Sequence, residues 1–123
     1  MTMDVLVVLI AGALGASARH GLDLLLRRRF PSGPSIGILV ANLGGSFLLG
    51  LVVGVAATRT LDPSVRLAVG TGFCGAFTTF STFSAQLVGL VERRERRAMA
   101  RWTACMVLGG GLAAALGIAI GRL

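Results

Sequence analysis

The sequence predicts an all-α membrane protein of four transmembrane helices, the third of them broken. Three observations carry this reading. Apolar residues make up 54% of the 123 residues, only 14% are charged, and the mean hydropathy is +0.84. A soluble domain of this size could not bury so much apolar surface. Four stretches reach the roughly 20 apolar residues that a spanning helix needs, and basic or proline-bearing breaks separate them. Finally, residues 70–84 join a glycine-rich stretch to hydroxyls set between phenylalanines. A loosened helix at membrane depth is tolerated only against protein or a wet cavity. One membrane domain occupies residues 1–123, with no room for a second.

The first span covers about residues 5–26 and is interrupted by Arg19, His20 and Asp23. Asp4 precedes it, with no basic n-region, so a retained helix is expected rather than a cleaved signal. The break that follows, residues 27–34, holds three arginines and two prolines, and Ser35 is placed to cap the next helix. The second span covers about 36–57 and contains Asn42 and Ser46 among small residues. A short loop ends in Asp62-Pro63, an N-cap followed by proline at the first helical position. The third span covers about 65–91, a basic loop follows, and the fourth covers about 102–121 with Trp102 expected at the interface.

Small residues recur four apart, as in Gly12/Ala16, Ala41/Gly45, Gly50/Gly54 and Gly117/Gly121. Such pairs let helix backbones approach in lipid. One four-helix unit is too small to enclose a pore, so this close contact is expected to continue into a partner chain. The formal net charge is +7; apart from His20 every basic side chain is an arginine, and most of them sit between the apolar segments. That placement points to membrane lipid and not to nucleic acid. Cys74 and Cys105 fall in apolar segments and read as two small buried thiols.

The third span concentrates the polar chemistry. Phe77, Phe80 and Phe83 fall three apart and would line one side of a continuous helix. Thr79, Thr82 and Gln86 form another stripe, with Thr78 and Ser81 between. Gly70, Gly72 and Gly75 imply unwound backbone, whose carbonyls can bind a cation and whose amides can face an anion. Asn42 reads equally as an interhelical hydrogen bond or as a pore-lining donor. Arg19 reads as a snorkelling charge paired with Asp23, or as a functional charge in the span. His20 lacks metal-ligand neighbours and reads as interfacial. No nucleophile–base pair, metal motif, phosphate loop or acid pair appears, so an enzyme reading has no support.

Three blocks resemble one family, the small bacterial fluoride channels known as Fluc or CrcB. They are residues 12–19 (GALGASAR), 41–47 (ANLGGSF) and 72–84 (GFCGAFTTFSTFS). The resemblance implies a passive fluoride efflux channel in the bacterial plasma membrane, built as an antiparallel dimer with two fluoride pathways. It implies a central sodium ion held by the backbone carbonyls of Gly75 and Thr78, once from each subunit. It places Phe80 and Phe83 against fluoride, Asn42 in the pore and Arg19 in a vestibule. Ser81 and Thr82 join the polar lining. The chain departs from the family pattern at His20, where an aromatic residue is common, and at Gln86, where an acid is. Its fourth span offers Thr103 and few other hydroxyls. These departures leave a second reading open, a non-conducting or half-active subunit of a heterodimeric channel. Charge asymmetry bears on the same question. With four spans, Arg59, Arg66 and Arg122 share one side, and the other nine arginines share the opposite side. Positive loops stay cytoplasmic, so both termini are expected outside, and the bias favours an oppositely oriented homologue over a second copy as the partner.

Overall fold

The computed structural model describes residues 2–123 and contains four helices long and apolar enough to cross a membrane. Helix α1 runs Thr2–Arg29 and α2 runs Ile36–Thr58. The third span, Pro63–Glu92, is composite. It comprises α3 (Pro63–Arg66), a π-helix (Leu67–Cys74), α4 (Gly75–Phe77) and α5 (Phe80–Glu92). Helix α6, Arg96–Gly121, completes the bundle.

The helices outrun their apolar stretches. Helix α1 takes in Arg27, Arg28 and Arg29, whose charges suit the carbonyls of its last turn. Helix α6 starts at Arg96, well before Trp102, because a tight turn with Arg94 at φ 58° already ends the third span. Both expected caps form. Ser35 Oγ accepts from the Ile38 N–H at 3.4 Å. Asp62 Oδ1 accepts from the N–H groups of Ser64 at 2.8 Å and Val65 at 3.4 Å, with Pro63 at the first helical position.

The glycine pairs of the second and fourth spans close on each other. A Cβ at Gly50 would strike the Ala114 carbonyl, and one at Gly117 the Phe47 carbonyl and the Leu51 nitrogen. Gly54 and Gly121 meet one turn further along. The small-residue stripes expected to receive a partner chain therefore hold α2 against α6 within the subunit. Helix α1 packs on the first half of the third span, where Gly15 lies against the Phe73 backbone and Gly72 against Ala11 and Val8. On its outer face Leu6, Leu9, Ile10 and Leu14 are exposed, as a lipid-facing surface requires.

A core of Ile38, Phe83, Leu90, Trp102 and Met106 joins α2, α5 and α6. Trp102 is buried in this cluster, and its indole N–H donates to Gln86 Oε1 at 3.2 Å. Only Cys74 of the two thiols is buried; Cys105 is exposed on α6. The glycine-rich run is not unwound either. Leu67–Cys74 stays helical in the wider π form, which glycine accommodates and which recurs at functional sites.

Candidate functional site

The third span breaks at Thr78 and Thr79, which both leave the helical region. Thr78 has φ −87° and ψ 156°, and Thr79 φ −150° and ψ 126°. The span bends by 21°. Two extended residues in the middle of a membrane helix leave amides and carbonyls that need partners, and Asn42 supplies two of them. Its Oδ1 accepts from the Thr79 N–H at 2.7 Å, and its Nδ2 donates to the Thr79 carbonyl at 3.0 Å. The same Nδ2 lies 3.3 Å from Met106 Sδ on α6. Asn42 therefore pins the break to α2 and α6.

This arrangement releases two carbonyls. In a continuous helix the Gly75 carbonyl would accept from the Thr79 N–H, and the Thr78 carbonyl from the Thr82 N–H. The first amide goes to Asn42. The second goes to Thr79 Oγ1 at 3.4 Å, as the N-cap of α5. Gly75 is exposed, and nothing lies within 4 Å of where its Cβ would stand. Arg19 Nη1 reaches the Thr78 carbonyl at 3.5 Å, the limit of hydrogen bonding. A carbonyl has two lone pairs, so one remains free. The Gly75 carbonyl and the remaining lone pair of the Thr78 carbonyl are oxygens of the type that hold a hard cation, if further oxygens complete the shell.

Asp23 is not the partner of Arg19. It pairs with Arg27 Nε at 2.9 Å and accepts from Ser35 Oγ. A turn separates positions four apart in either direction, and Asp23 is drawn to the end of α1 where Ser35 arrives.

A groove of about 370 Å³ lies over the break. It is lined by Asn42, Gly75, Thr78, Phe80 and Phe83 among the expected residues. Phe80 is 80% exposed and Phe83 only 6%, with ring centroids 6.1 Å apart at 59°. One ring edge is anchored in the core and its neighbour stands free beside it. Phe77 does not join them, because the break rotates it away to stack on Phe73 at 5.3 Å. Arg19, Ser81 and Thr82 lie outside the lining of the groove. Ser81 and Thr82 reach it through Thr79, whose Oγ1 is 3.2 Å from Ser81 Oγ and 3.3 Å from Thr82 Oγ1. Ser46 and Thr79, both noted as polar residues of their spans, also line the groove, as does Met106, which the sequence did not single out. The backbone role of Thr79, bonded at both its N–H and its carbonyl to Asn42, is one that no side-chain pattern reports; Met106 is signalled only by lying one turn from Trp102 on the same helix face.

The family described as CrcB-like protein, Camphor Resistance (CrcB), matches residues 6–118. The fluoride-specific ion channel FluC 1 of Leifsonia xyli subsp. xyli (strain CTCB07) is 46% identical over 120 residues, covering 97% of this chain and 87% of that one. The fluoride-specific ion channel FluC of Nitratidesulfovibrio vulgaris (strain DSM 19637 / Miyazaki F) is 41% identical over 115 residues, 93% of each chain. The fluoride-specific ion channel FluC 2 of Cutibacterium acnes (strain DSM 16379 / KPA171202) is 42% identical over 120 residues, covering 97% and 98%.

Proposed function

The chain belongs to the CrcB-like family, and from that premise we propose that it is a fluoride-selective channel for passive efflux. It is a multi-pass protein of the bacterial plasma membrane. The observation that carries the reading is the Asn42 clamp on a broken third span, beside the Phe80–Phe83 pair.

Fluoride is small and strongly hydrated, so a pathway must replace its water with several donors in close succession. The hydroxyls of Ser81, Thr82 and Thr79 and the amide of Asn42 form such a series along α5 and α2. Ring edges of Phe80 and Phe83 offer weak, non-basic contact that lets the ion move on. Arg19 on α1 supplies positive charge near the break. Leaving a negative cytoplasm yields an anion about 2.3 kcal/mol per 100 mV, so no ATP is needed.

The exposed groove is half of a site, and an antiparallel second copy, or an oppositely oriented homologue, would supply the other wall. In that dimer Gly75 and Thr78 present their released carbonyls once from each subunit, four oxygens for a central sodium ion. Bound there, sodium supplies a fixed positive charge that favours anions nearby. The residues of this chain set that up by holding the break open: Asn42 takes one amide and Thr79 Oγ1 the other.

The test is efflux from liposomes holding only this purified chain. Fluoride should leave and chloride stay when a potassium ionophore carries the balancing charge. Equal fluoride and chloride rates would sink the selectivity claim. A folded chain with no flux would instead support a structural subunit of a heterodimer.

A further inference from the structure

On α2, Asn42 and Gly45 stand three apart and so face the same neighbour, the break in the third span. Asn42 grips Thr79. Gly45 is buried, and Thr78 covers it: a Cβ at Gly45 would strike Thr78 Cγ2 and come within 3.4 Å of Phe77 Cδ1. The Thr78 methyl therefore sits in a notch that exists because residue 45 has no side chain. Gly44, the preceding residue, is exposed, and a Cβ there would make only ordinary contact with Phe77 at 3.8 Å.

The rest of Thr78 is held as closely. Its N–H and its Oγ1 both donate to the Cys74 carbonyl, at 3.0 Å and 2.9 Å. Those two bonds use both lone pairs of the acceptor. Threonine carries its methyl and hydroxyl on one carbon, so rotation about χ1 cannot clear the notch without taking Oγ1 off Cys74. An added Cβ at position 45 must then move the Thr78 backbone or break that bond.

The backbone matters because of the peptide unit that follows. The unit joining Thr78 and Thr79 is planar and trans, so its C=O and N–H point in opposite directions. The N–H is aimed at Asn42 Oδ1, and the carbonyl accordingly points away from α2, where Arg19 Nη1 of α1 meets it at 3.5 Å. Asn42 thus sets the direction of the Thr78 carbonyl, and the Gly45 notch sets how far from α2 it stands.

We infer that Gly45 is a positioning residue for the cation: by seating the Thr78 methyl it fixes where the Thr78 carbonyl oxygen is offered. This rests on the sodium reading above, and the test tells the failure of one from the failure of the other.

Sodium bound by the purified chain is measured by atomic emission after equilibrium dialysis against graded sodium, with N-methylglucamine as the replacing cation. Gly45→Ala should raise the half-saturating sodium about tenfold, since the inserted methyl displaces a ligand. Thr78→Ser, which empties the notch, should raise it about threefold. Combining the two returns one methyl to the contact from the other side, and should bring the value below that of either single variant. Gly44→Ala should match wild type. A change at Gly45 that only loosened the fold would lower the unfolding midpoint without moving sodium affinity. Gel filtration establishes that each variant is folded; if Gly45→Ala does not accumulate, the comparison of Thr78→Ser with the double variant decides. An unshifted half-saturation in Gly45→Ala, an equal shift in Gly44→Ala, or a double variant no tighter than Thr78→Ser would overturn the inference. A wild-type chain that binds no sodium overturns the sodium reading and this inference with it; a sodium-binding wild type with any of those three results overturns this inference alone.

Discussion

Asn42 satisfies both backbone groups of Thr79 at once, accepting its N–H at 2.7 Å and donating to its carbonyl at 3.0 Å. One amide side chain on α2 thereby does for Thr79 what the preceding and following helical turns would have done. The interhelical bond is present in the single subunit and engages the amide oxygen and Nδ2 of Asn42. The pore role then depends on what remains of Nδ2, which also faces Met106.

Asn42→Ala should therefore cost about 2–4 kcal/mol, since two polar groups lose their partners at membrane depth. The thermal unfolding midpoint in detergent should fall and fluoride flux should vanish. An unchanged midpoint would mean that Thr79 finds other partners and that the clamp is incidental.

The two phenylalanines should separate under substitution. Phe83→Ile acts on a core residue 6% exposed and should destabilise the subunit by about 1–3 kcal/mol through altered shape. Phe80→Ile alters a ring 80% exposed and should leave the unfolding midpoint within experimental scatter. Flux per folded protein should drop in both. Normal flux in Phe80→Ile would remove that ring from the pathway.

What the sequence made legible follows from how each signal arises. Span number, the Ser35 and Asp62 caps and the Gly50/Gly54 and Gly117/Gly121 pairs are local patterns, and all appear in the structure. The destination of the glycine pairs was not legible, because small-residue spacing marks a close approach without naming the neighbour. The break was legible as a break and misplaced by a few residues. Glycines only permit distortion; Asn42, far away in sequence, decides where it falls by capturing Thr79. Phe77 was grouped with Phe80 and Phe83 for the same reason, since helical spacing loses its meaning across a break. Trp102 was read only from its distance to the apolar boundary; its packing on Ile38 and Phe83 and its hydrogen bond to Gln86 depend on neighbours that no local pattern names.

The contact between α2 and α6 should be the least forgiving in the subunit. Gly50→Val or Gly117→Val would drive a side chain into the facing backbone, which cannot yield as a flexible side chain can. Neither variant should accumulate as folded protein. Gly21→Ala should be tolerated, since nothing lies within 4 Å of its Cβ position. Folded yield after gel filtration checks both, and recovery of Gly50→Val at wild-type yield would show that the helices can separate.

The last prediction concerns orientation. Arg27, Arg28, Arg29, Arg93, Arg94, Arg96, Arg97 and Arg101 cluster at one end of the bundle, with Arg19 inside α1 nearby. Arg59, Arg66 and Arg122 are at the other. Positive ends stay cytoplasmic, so most copies should insert with both termini outside. An antiparallel pair from one sequence needs copies in both orientations. A bias this strong works against that, and favours a dimer completed by an oppositely biased homologue. Glu92 and Glu95 temper the basic end, but acidic residues contribute little to orientation. Cysteines placed at Ser32 and Thr60, both exposed and on opposite sides, can report it in intact cells. The native thiols must be removed first, above all the exposed Cys105. With the chain expressed alone, an impermeant reagent should label the Thr60 position and spare the Ser32 position. Equal labelling of both from outside would show dual insertion and defeat the heterodimer.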